Sequence, residues 1–293
     1  IFEAPKECEI DDVAAIEASN PSLGETLRLD EILSSADEAK ASPAKIATFR
    51  RYRLNQWVSN ADAWLTDGMW DACPSNLDPD TLIGRPCIAG LDLSSTDDLT
   101  AFVRVFEPDN HKDEWPILVT FFLPAENVQR LEQKHRVPYS AWIEEGWILT
   151  HPGTVVDYPE VRKVIRSLHE VTPVKQLGID RGWQGQSLES DLLLDRFDVV
   201  MVGQAWKSQS QPLKEIEKLV KSKRLNHGGN PVMRWNALNT MIRITDPENY
   251  QLSRRTSKAK IDGIAALANA VHCIAFTPEE SPSVYETRGS LEI

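Results

Sequence analysis

Three apolar runs that lie close together in the chain place the strongest limit on its fold. They span residues 86–93, 99–106 and 115–123, and short polar stretches separate them. Short apolar runs bounded by polar turns are typical of strands, and their close spacing favours an antiparallel meander. We therefore expect a sheet to begin near residue 86.

Helical and strand patterns alternate downstream of this meander. Strands are predicted at 174–179 and 198–202, and a small hairpin at 241–245 and 250–252. Helices are predicted at 126–135, 139–145, 158–171, 188–196, 212–223 and 258–275. This order predicts an α/β fold in which a mixed sheet, the meander plus parallel strands, is flanked by helices.

The first 80 residues differ in composition from the rest of the chain. They contain 7 Lys and Arg against 16 Asp and Glu, and they lack an apolar run typical of a strand. Apolar residues have helical spacing over 27–39 and 44–57, and residues 73–80 have the composition of a linker. We therefore divide the chain into a helical region, 1–80, and a sheet domain, 81–293.

The charge distribution bears on the kind of partner. The formal net charge is −12, yet residues 201–260 hold 12 Lys and Arg against 4 Asp and Glu. Such a basic tract can bind a phosphate backbone, and a solvated helix face is the alternative interpretation. No apolar run could span a bilayer, which argues against a membrane partner, and the four dispersed cysteines argue against a zinc site and favour a reduced cytosolic protein.

Three aspartates stand where buried elements are predicted to end or begin. Asp92 lies in the first strand, Asp180 ends the strand near 179, and Asp262 lies where the last helix starts. A carboxylate in an apolar strand is costly unless it is paired or bound to a metal, and Mg²⁺ or Mn²⁺ prefers carboxylate oxygens. Structural alternatives stay open, because Asp92 can cap a turn, Asp180 can pair with Arg181, and Asp262 can be a helix N-cap.

Several short segments carry a family resemblance. They are NPSLG at 20–24, FRRYRLNQW at 49–57, GLDLSSTDD at 90–98, LTHPGTVVD at 149–157, IDR at 179–181 and KIDG at 260–263. In this order they resemble the C-terminal part of the large terminase subunit of tailed bacteriophages, of the HK97 type. The resemblance covers nearly the whole chain.

The resemblance implies a fold and a set of site residues. Residues 81–293 are expected to form an RNase H-like nuclease domain, and residues 1–80 the end of an ATPase domain with its helical linker. The catalytic and metal-binding acids fall on Asp92, Asp180 and Asp262, which would hold two Mg²⁺ or Mn²⁺ ions, with Asp98 or Asp97 as an auxiliary ligand. The basic residues expected to contact DNA are chosen by position: Lys207, Lys221, Lys223, Arg224, Arg254, Arg255, Lys258 and Lys260.

The implied function is that of a metal-dependent endonuclease that cleaves concatemeric viral double-stranded DNA during genome packaging. Its expected location is the host cell cytoplasm, and its expected partners are the small terminase subunit and the portal protein. The chain begins at Ile1 and lacks the motif GxxxxGK[ST], so we expect a truncated polypeptide whose ATPase activity belongs to a missing N-terminal part. The alternatives are a non-catalytic DNA-clamping or portal-docking module, and an RNase H-like junction resolvase, against which the segments at 20–57 argue.

Overall fold

The structure is a computed structural model that gives the bounds of nine strands among the residues it describes. These residues are 2–5, 7–40, 46, 49–50, 52–56, 64–94, 98–110, 113–245, 249–254, 257 and 259–276, with the backbone alone at 183–187 and 244–245. The strands are β1 Cys87–Asp92, β2 Thr100–Val105, β3 Trp115–Pro124, β4 Ile148–His151, β5 Val174–Asp180, β6 Val199–Val202, β7 Leu225–Asn226, β8 Ile242–Thr245 and β9 Asn249–Leu252.

The bounds of ten α-helices are given within the same ranges. They are α1 Val13–Ser19, α2 Leu29–Lys40, α3 Asp67–Asp71, α4 Val128–His135, α5 Tyr139–Glu144, α6 Tyr158–Val171, α7 Trp183–Leu194, α8 Trp206–Lys221, α9 Pro231–Asn239 and α10 Asp262–Phe276. Short 3-10 turns span Pro79–Leu82 and Ala125–Asn127. In this described part of the chain, no helix is both long and apolar enough to cross a bilayer.

The predicted mixed sheet is confirmed. Its strand order is β4-β3-β2-β1-β5-β6, with β7 beside the start of β3, and β8 and β9 form a separate hairpin. The β1, β2 and β3 strands are antiparallel neighbours, whereas β5 runs parallel to β1 and β6 runs parallel to β5. The carboxyl ends of β1, β5 and β6 therefore meet at one edge, which we call the acidic edge after Asp92 and Asp180.

Some helix limits differ from those predicted. The helix predicted from residue 212 begins at Trp206, because Pro212 lies inside α8 rather than at its start. A proline cannot donate to the carbonyl four residues earlier, and His272 Nδ1 lies 3.0 Å from that oxygen, Ser208 O. The helix predicted over 258–275 begins at Asp262. Of the helix predicted over 44–57, the described residues 46, 49–50 and 52–53 are helical, and residues 44–45, 47–48, 51 and 57 lie outside the described residues.

Helices cover both faces of the sheet. One face packs α6 and α7 against residues such as Leu91, Phe102 and Ile179. The opposite face packs α8, α9 and α10 against residues such as Val103 and Phe121. Trp64, Leu65 and Trp70 join this second cluster, whereas residues 4–54 form a hydrophobic cluster of their own. The division at residue 80 stays a prediction.

Two glycines let α10 lie directly on the centre of the sheet. A side chain at Gly90 in β1 would overlap Ala266 O of the helix, and one at Gly178 in β5 would overlap Asn269 O. Because both are backbone atoms of the helix, no side-chain movement could make room for a methyl group. This close approach fixes where α10 begins relative to the ends of β1 and β5.

Candidate active site

Asp92 and Asp180 end neighbouring parallel strands on the same face of the sheet. The register pairs Gly90 with Gly178, so the two aspartates follow at corresponding positions two residues later. Since side chains alternate along a strand, both carboxylates share the face of the two glycines, which is the face that α10 covers. The strands thus bring together two residues that are far apart in sequence.

Asp262 is held at this site by buried polar contacts of α10. The backbone N of its neighbour Gly263 donates to Asn236 Oδ1 at 2.9 Å. Two turns further along the helix, Asn269 Nδ2 donates to Leu91 O at 2.9 Å, next to Asp92 in β1. These two hydrogen bonds attach the helix that begins with Asp262 to α9 and to the sheet.

A basic side chain lies between the two strand-end acids. Arg254 Nη2 is 2.9 Å from Asp92 Oδ1 and 3.9 Å from Asp180 Oδ2. The second Asp180 contact comes from Gln204, whose side-chain amide donates to Oδ2, and Gln251 Nε2 donates to Gln204 O at 3.0 Å. The acidic cluster, which we define as Asp92, Asp180 and Asp262, is therefore linked to the segment that follows β9.

Burial dominates the electrostatics of two members of the acidic cluster. Asp92 is 2% exposed, and this burial raises its pKa to about 6, with Arg254 opposing the shift and Asp180 adding to it. Asp262 is 4% exposed; its burial, reinforced by the Asp92 charge and opposed by Lys260, raises its pKa to about 7. Like charges in a low-dielectric site favour the protonated form unless a cation is present.

The residues of the acidic cluster fit divalent cations by their chemistry. Asp180 Oδ1 and Asp262 Oδ2 are buried without a hydrogen-bond partner, which is costly for a carboxylate unless a cation binds there. Carboxylate oxygens are the ligands that Mg²⁺ and Mn²⁺ prefer. As the side chains stand, however, no three acidic, histidine or cysteine residues of the described ranges are grouped closely enough to hold an ion.

Asp180 and Asp262 do not make the structural contacts that the sequence left open for them. The Arg181 Nη2 atom lies 3.5 Å from Met201 O rather than beside Asp180. Asp262 is the first residue of α10 and not the capping residue before it. The expected auxiliary ligand Asp98 is paired with Lys260. Asp97, the other candidate, lies outside the described residues.

Of the predicted DNA contacts, Lys207 lies at the acidic edge. It is the second residue of α8, three positions after Gln204, which contacts Asp180. Its Nζ is 5.7 Å from the ring centroid of Trp206, which is 42% exposed. Arg254 and Lys260 are also at this edge but are ion-paired with aspartates, and Arg255 and Lys258 lie outside the described residues.

The other predicted DNA contacts lie at the opposite end of the sheet. Arg224 O accepts a hydrogen bond of 2.7 Å from Trp115 N at the start of β3. Asp92 pairs with Ala101 of β2, and Ala101 pairs with Phe121 of β3, which is six residues after Trp115. At roughly 3.3 Å per residue, this places Arg224, and with it Lys221 and Lys223, roughly 20 Å from the acidic cluster.

The sheet of this chain is an antiparallel meander extended by parallel strands, with carboxylates at the ends of β1 and β5. This arrangement is that of RNase H-like domains. Residues 1–277 match the family described as "Terminase large subunit, endonuclease domain". The chain belongs to this family. The fold and the family expected from the sequence are both confirmed.

Individual relatives agree with this assignment. The chain is 29% identical over 276 residues to the terminase large subunit of Enterobacteria phage HK97, and 27% identical over 270 residues to protein YmfN of Escherichia coli K12. These alignments cover 92% and 89% of this chain but 53% and 59% of the relatives, so the chain spans little more than half their length. The crystal structure of the HK97 large terminase matches with a TM-score of 0.66 at 28% identity, covering 93% of this chain and 56% of the other.

Sequence reasoning did not identify several residues that build the site. Gln204 follows β6 in a loop, where nothing in its spacing indicates a contact with Asp180. The one available signal was Asn269, an amide within the otherwise apolar helix α10, since a polar residue in such a position is retained only with a partner.

Proposed function

We propose that this chain is a metal-dependent endonuclease that cleaves concatemeric double-stranded viral DNA during genome packaging. The observation that carries the proposal is the acidic cluster, in which two strand-end carboxylates and one helix-start carboxylate meet and two of their oxygens are buried without a partner. Membership of the terminase endonuclease family supports the choice of DNA as the substrate.

Asp92, Asp180 and Asp262 would hold two Mg²⁺ or Mn²⁺ ions. When bound, such ions activate a water molecule and stabilise the charge that develops on the leaving 3′ oxygen of a phosphodiester. The chain's own contribution is to fix the three carboxylates on a rigid sheet and helix, and to keep them poorly solvated so that they attract cations strongly.

Basic residues would hold the DNA backbone beside the acidic cluster. Lys207 is exposed at the acidic edge and can contact a phosphate without leaving an ion pair described in the structure. Phosphate contacts of this kind position DNA without reading its sequence. This proposal also includes two partners, the small terminase subunit and the portal protein. It places the protein in the host cytoplasm and assigns ATP hydrolysis to a further part of the polypeptide.

The Asp92→Asn variant tests the proposal directly. It removes one charge from the centre of the acidic cluster and should abolish Mn²⁺-dependent cleavage of linear duplex DNA while leaving DNA binding intact. Asp198→Asn is the matched control, because Asp198 is exposed at the opposite end of β6. Cleavage by Asp92→Asn at the wild-type rate would contradict the assignment of the metal ligands.

One observation favours a second candidate function, a non-catalytic DNA-clamping module. The ion pair between Arg254 and Asp92 balances the charge of the central carboxylate without a metal. A clamp would bind DNA equally well in EDTA and in Mn²⁺ and would show no cleavage in either. The two functions are therefore separated by measuring binding and cleavage of the same duplex under both conditions.

A further inference from the structure

Arg254 occupies the space between two carboxylates that the proposed function assigns to metal ions. Its Nη2 atom lies 2.9 Å from Asp92 Oδ1 and 3.9 Å from Asp180 Oδ2. A cation bound by both carboxylates has to lie between them, which is where the guanidinium lies now. A guanidinium and a divalent cation cannot share that space, for reasons of both volume and like charge.

Hydrogen bonds to α8 hold the backbone just before Arg254, whereas the arginine side chain reaches the acidic cluster from a partly exposed position. Arg254 follows β9, whose Leu252 N donates to Gln209 Oε1 at 2.9 Å and whose Tyr250 N donates to Ser210 Oγ at 3.1 Å, both in α8. The arginine side chain itself is 47% exposed, so a path to solvent is open on one side. Its guanidinium can therefore leave the cluster by rotation of the side chain.

We propose that Arg254 is a resident counter-ion of the acidic cluster: it balances the charge of Asp92 in the metal-free protein and leaves when divalent cations bind. This inference rests on the proposed function, since it presumes that Asp92 and Asp180 are metal ligands. Arg254 is in this sense a positioning residue: it keeps the carboxylates together before the metal arrives. Its displacement also couples the metal site to the β8–β9 hairpin, because any contact that draws Arg254 away raises the metal affinity, and metal binding in turn releases the arginine.

The test is Mn²⁺ binding measured by isothermal titration calorimetry, without DNA and without reference to catalysis. Arg254→Gln removes the competing charge and should bind Mn²⁺ more tightly than the wild type, by roughly tenfold for a unit charge at this distance in a partly screened site. Arg243→Gln is the matched control, because it removes an equal charge from an exposed position on the same hairpin and should bind Mn²⁺ as the wild type does.

Thermal unfolding supplies an independent readout. In EDTA, Arg254→Gln should unfold at a lower temperature than the wild type, because the cluster has lost its counter-ion. In saturating Mn²⁺ this difference should disappear or reverse. Arg254→Lys keeps the charge and should therefore have a Mn²⁺ affinity close to that of the wild type. If the glutamine variant does not fold, the lysine variant still tests whether the charge at this position sets the Mn²⁺ affinity.

If the wild type binds Mn²⁺ and Arg254→Gln binds it equally or more weakly, the counter-ion role is overturned and the proposed function still stands. Absence of Mn²⁺ binding by the wild type would overturn both. If Asp92→Asn loses Mn²⁺ binding while Arg254→Gln gains it, the two proposals are supported together.

Discussion

At the scale of single residues, burial of the acidic cluster favours protonated carboxylates, whereas the proposed metal binding needs ionised ones. Burial raises the pKa of Asp92 to about 6 and that of Asp262 to about 7, so near neutral pH the metal-free site still holds protons. Under the proposed function, metal ions would bind the ionised carboxylates, and their arrival would have to expel those protons. The raised pKa values therefore make metal binding depend on pH in a range where ordinary carboxylates are fully ionised.

We expect Mn²⁺ affinity to increase as the pH rises from 5.5 to 7.5. The sign follows from the direction of the shifts: a raised carboxyl pKa means that more protons are bound at low pH and must be released. Near pH 6.5, roughly one proton should be released per protein, falling toward zero above pH 8. Calorimetry in buffers of different ionisation enthalpy measures this number, and Mn²⁺ binding that releases no proton at pH 6.5 would contradict the raised pKa values.

The three aspartates could be predicted from sequence because each stands at the end of a strongly patterned element. An acid at the end of an apolar strand is conspicuous, and parallel strands bring their carboxyl ends to one edge. Arg254 was also singled out, but as a DNA contact. Its pairing with Asp92 depends on how a loop after β9 folds back across 162 positions of sequence, and no local pattern encodes such a contact.

At the scale of elements, the packing of α10 on the sheet determines where Asp262 lies. The helix crosses β1 and β5 at Gly90 and Gly178. Its backbone occupies the space that a side chain at either position would fill. The helix can be predicted from its apolar sequence, and its start near Asp262 from the charge there. Strand β4 and helix α9 were not predicted, because β4 has only four residues and α9 combines amide, basic and apolar residues with little periodicity.

Gly90→Ala should disrupt both stability and the site. The added methyl group would overlap Ala266 O, so the helix has to move away from β1 at a cost of about 1–3 kcal/mol or more in the free energy of unfolding. Because Asp262 moves with the helix, Mn²⁺ affinity should fall as well. Chemical denaturation and calorimetry measure the two effects.

Gly68→Ala is the control for the same change in composition. Gly68 lies in α3 with no atom within 4 Å of the added methyl group, and alanine is favoured over glycine within helices by about 1 kcal/mol. Its free energy of unfolding should be unchanged or higher, and its Mn²⁺ affinity should match that of the wild type. An equal loss in both glycine variants would show that the helix–sheet contact is not responsible.

At the scale of the whole molecule, those predicted DNA contacts that the structure describes divide between two ends of the sheet. Helix α8 starts at the acidic edge with Lys207 and ends at Lys221 near Arg224, on the far side. The sequence shows that this tract is basic, but only the direction of α8 shows that its charges cannot all face one phosphate. Composition therefore predicted the charge of the surface and not its division.

Lys207→Gln should weaken binding of a short duplex and reduce the slope of its salt dependence by about one, as expected for one lost phosphate contact. Arg224→Gln removes the same charge roughly 20 Å away and should change both quantities less than Lys207→Gln does. Fluorescence anisotropy at several salt concentrations measures both. Equal effects of the two substitutions would indicate that DNA does not bind at the acidic edge.

The spacing of the site residues along the chain also has a consequence for synthesis. Asp92 is placed near the start of the sheet domain, but Arg254 and Asp262 follow only after β5, β6 and the hairpin have been made. At about 5–20 residues per second, roughly 10–30 seconds of translation separate the first acid from the last. Until α10 leaves the ribosome, the nascent chain has no complete acidic cluster, so under the proposed function the order of the elements would keep an unfinished polypeptide from cleaving DNA.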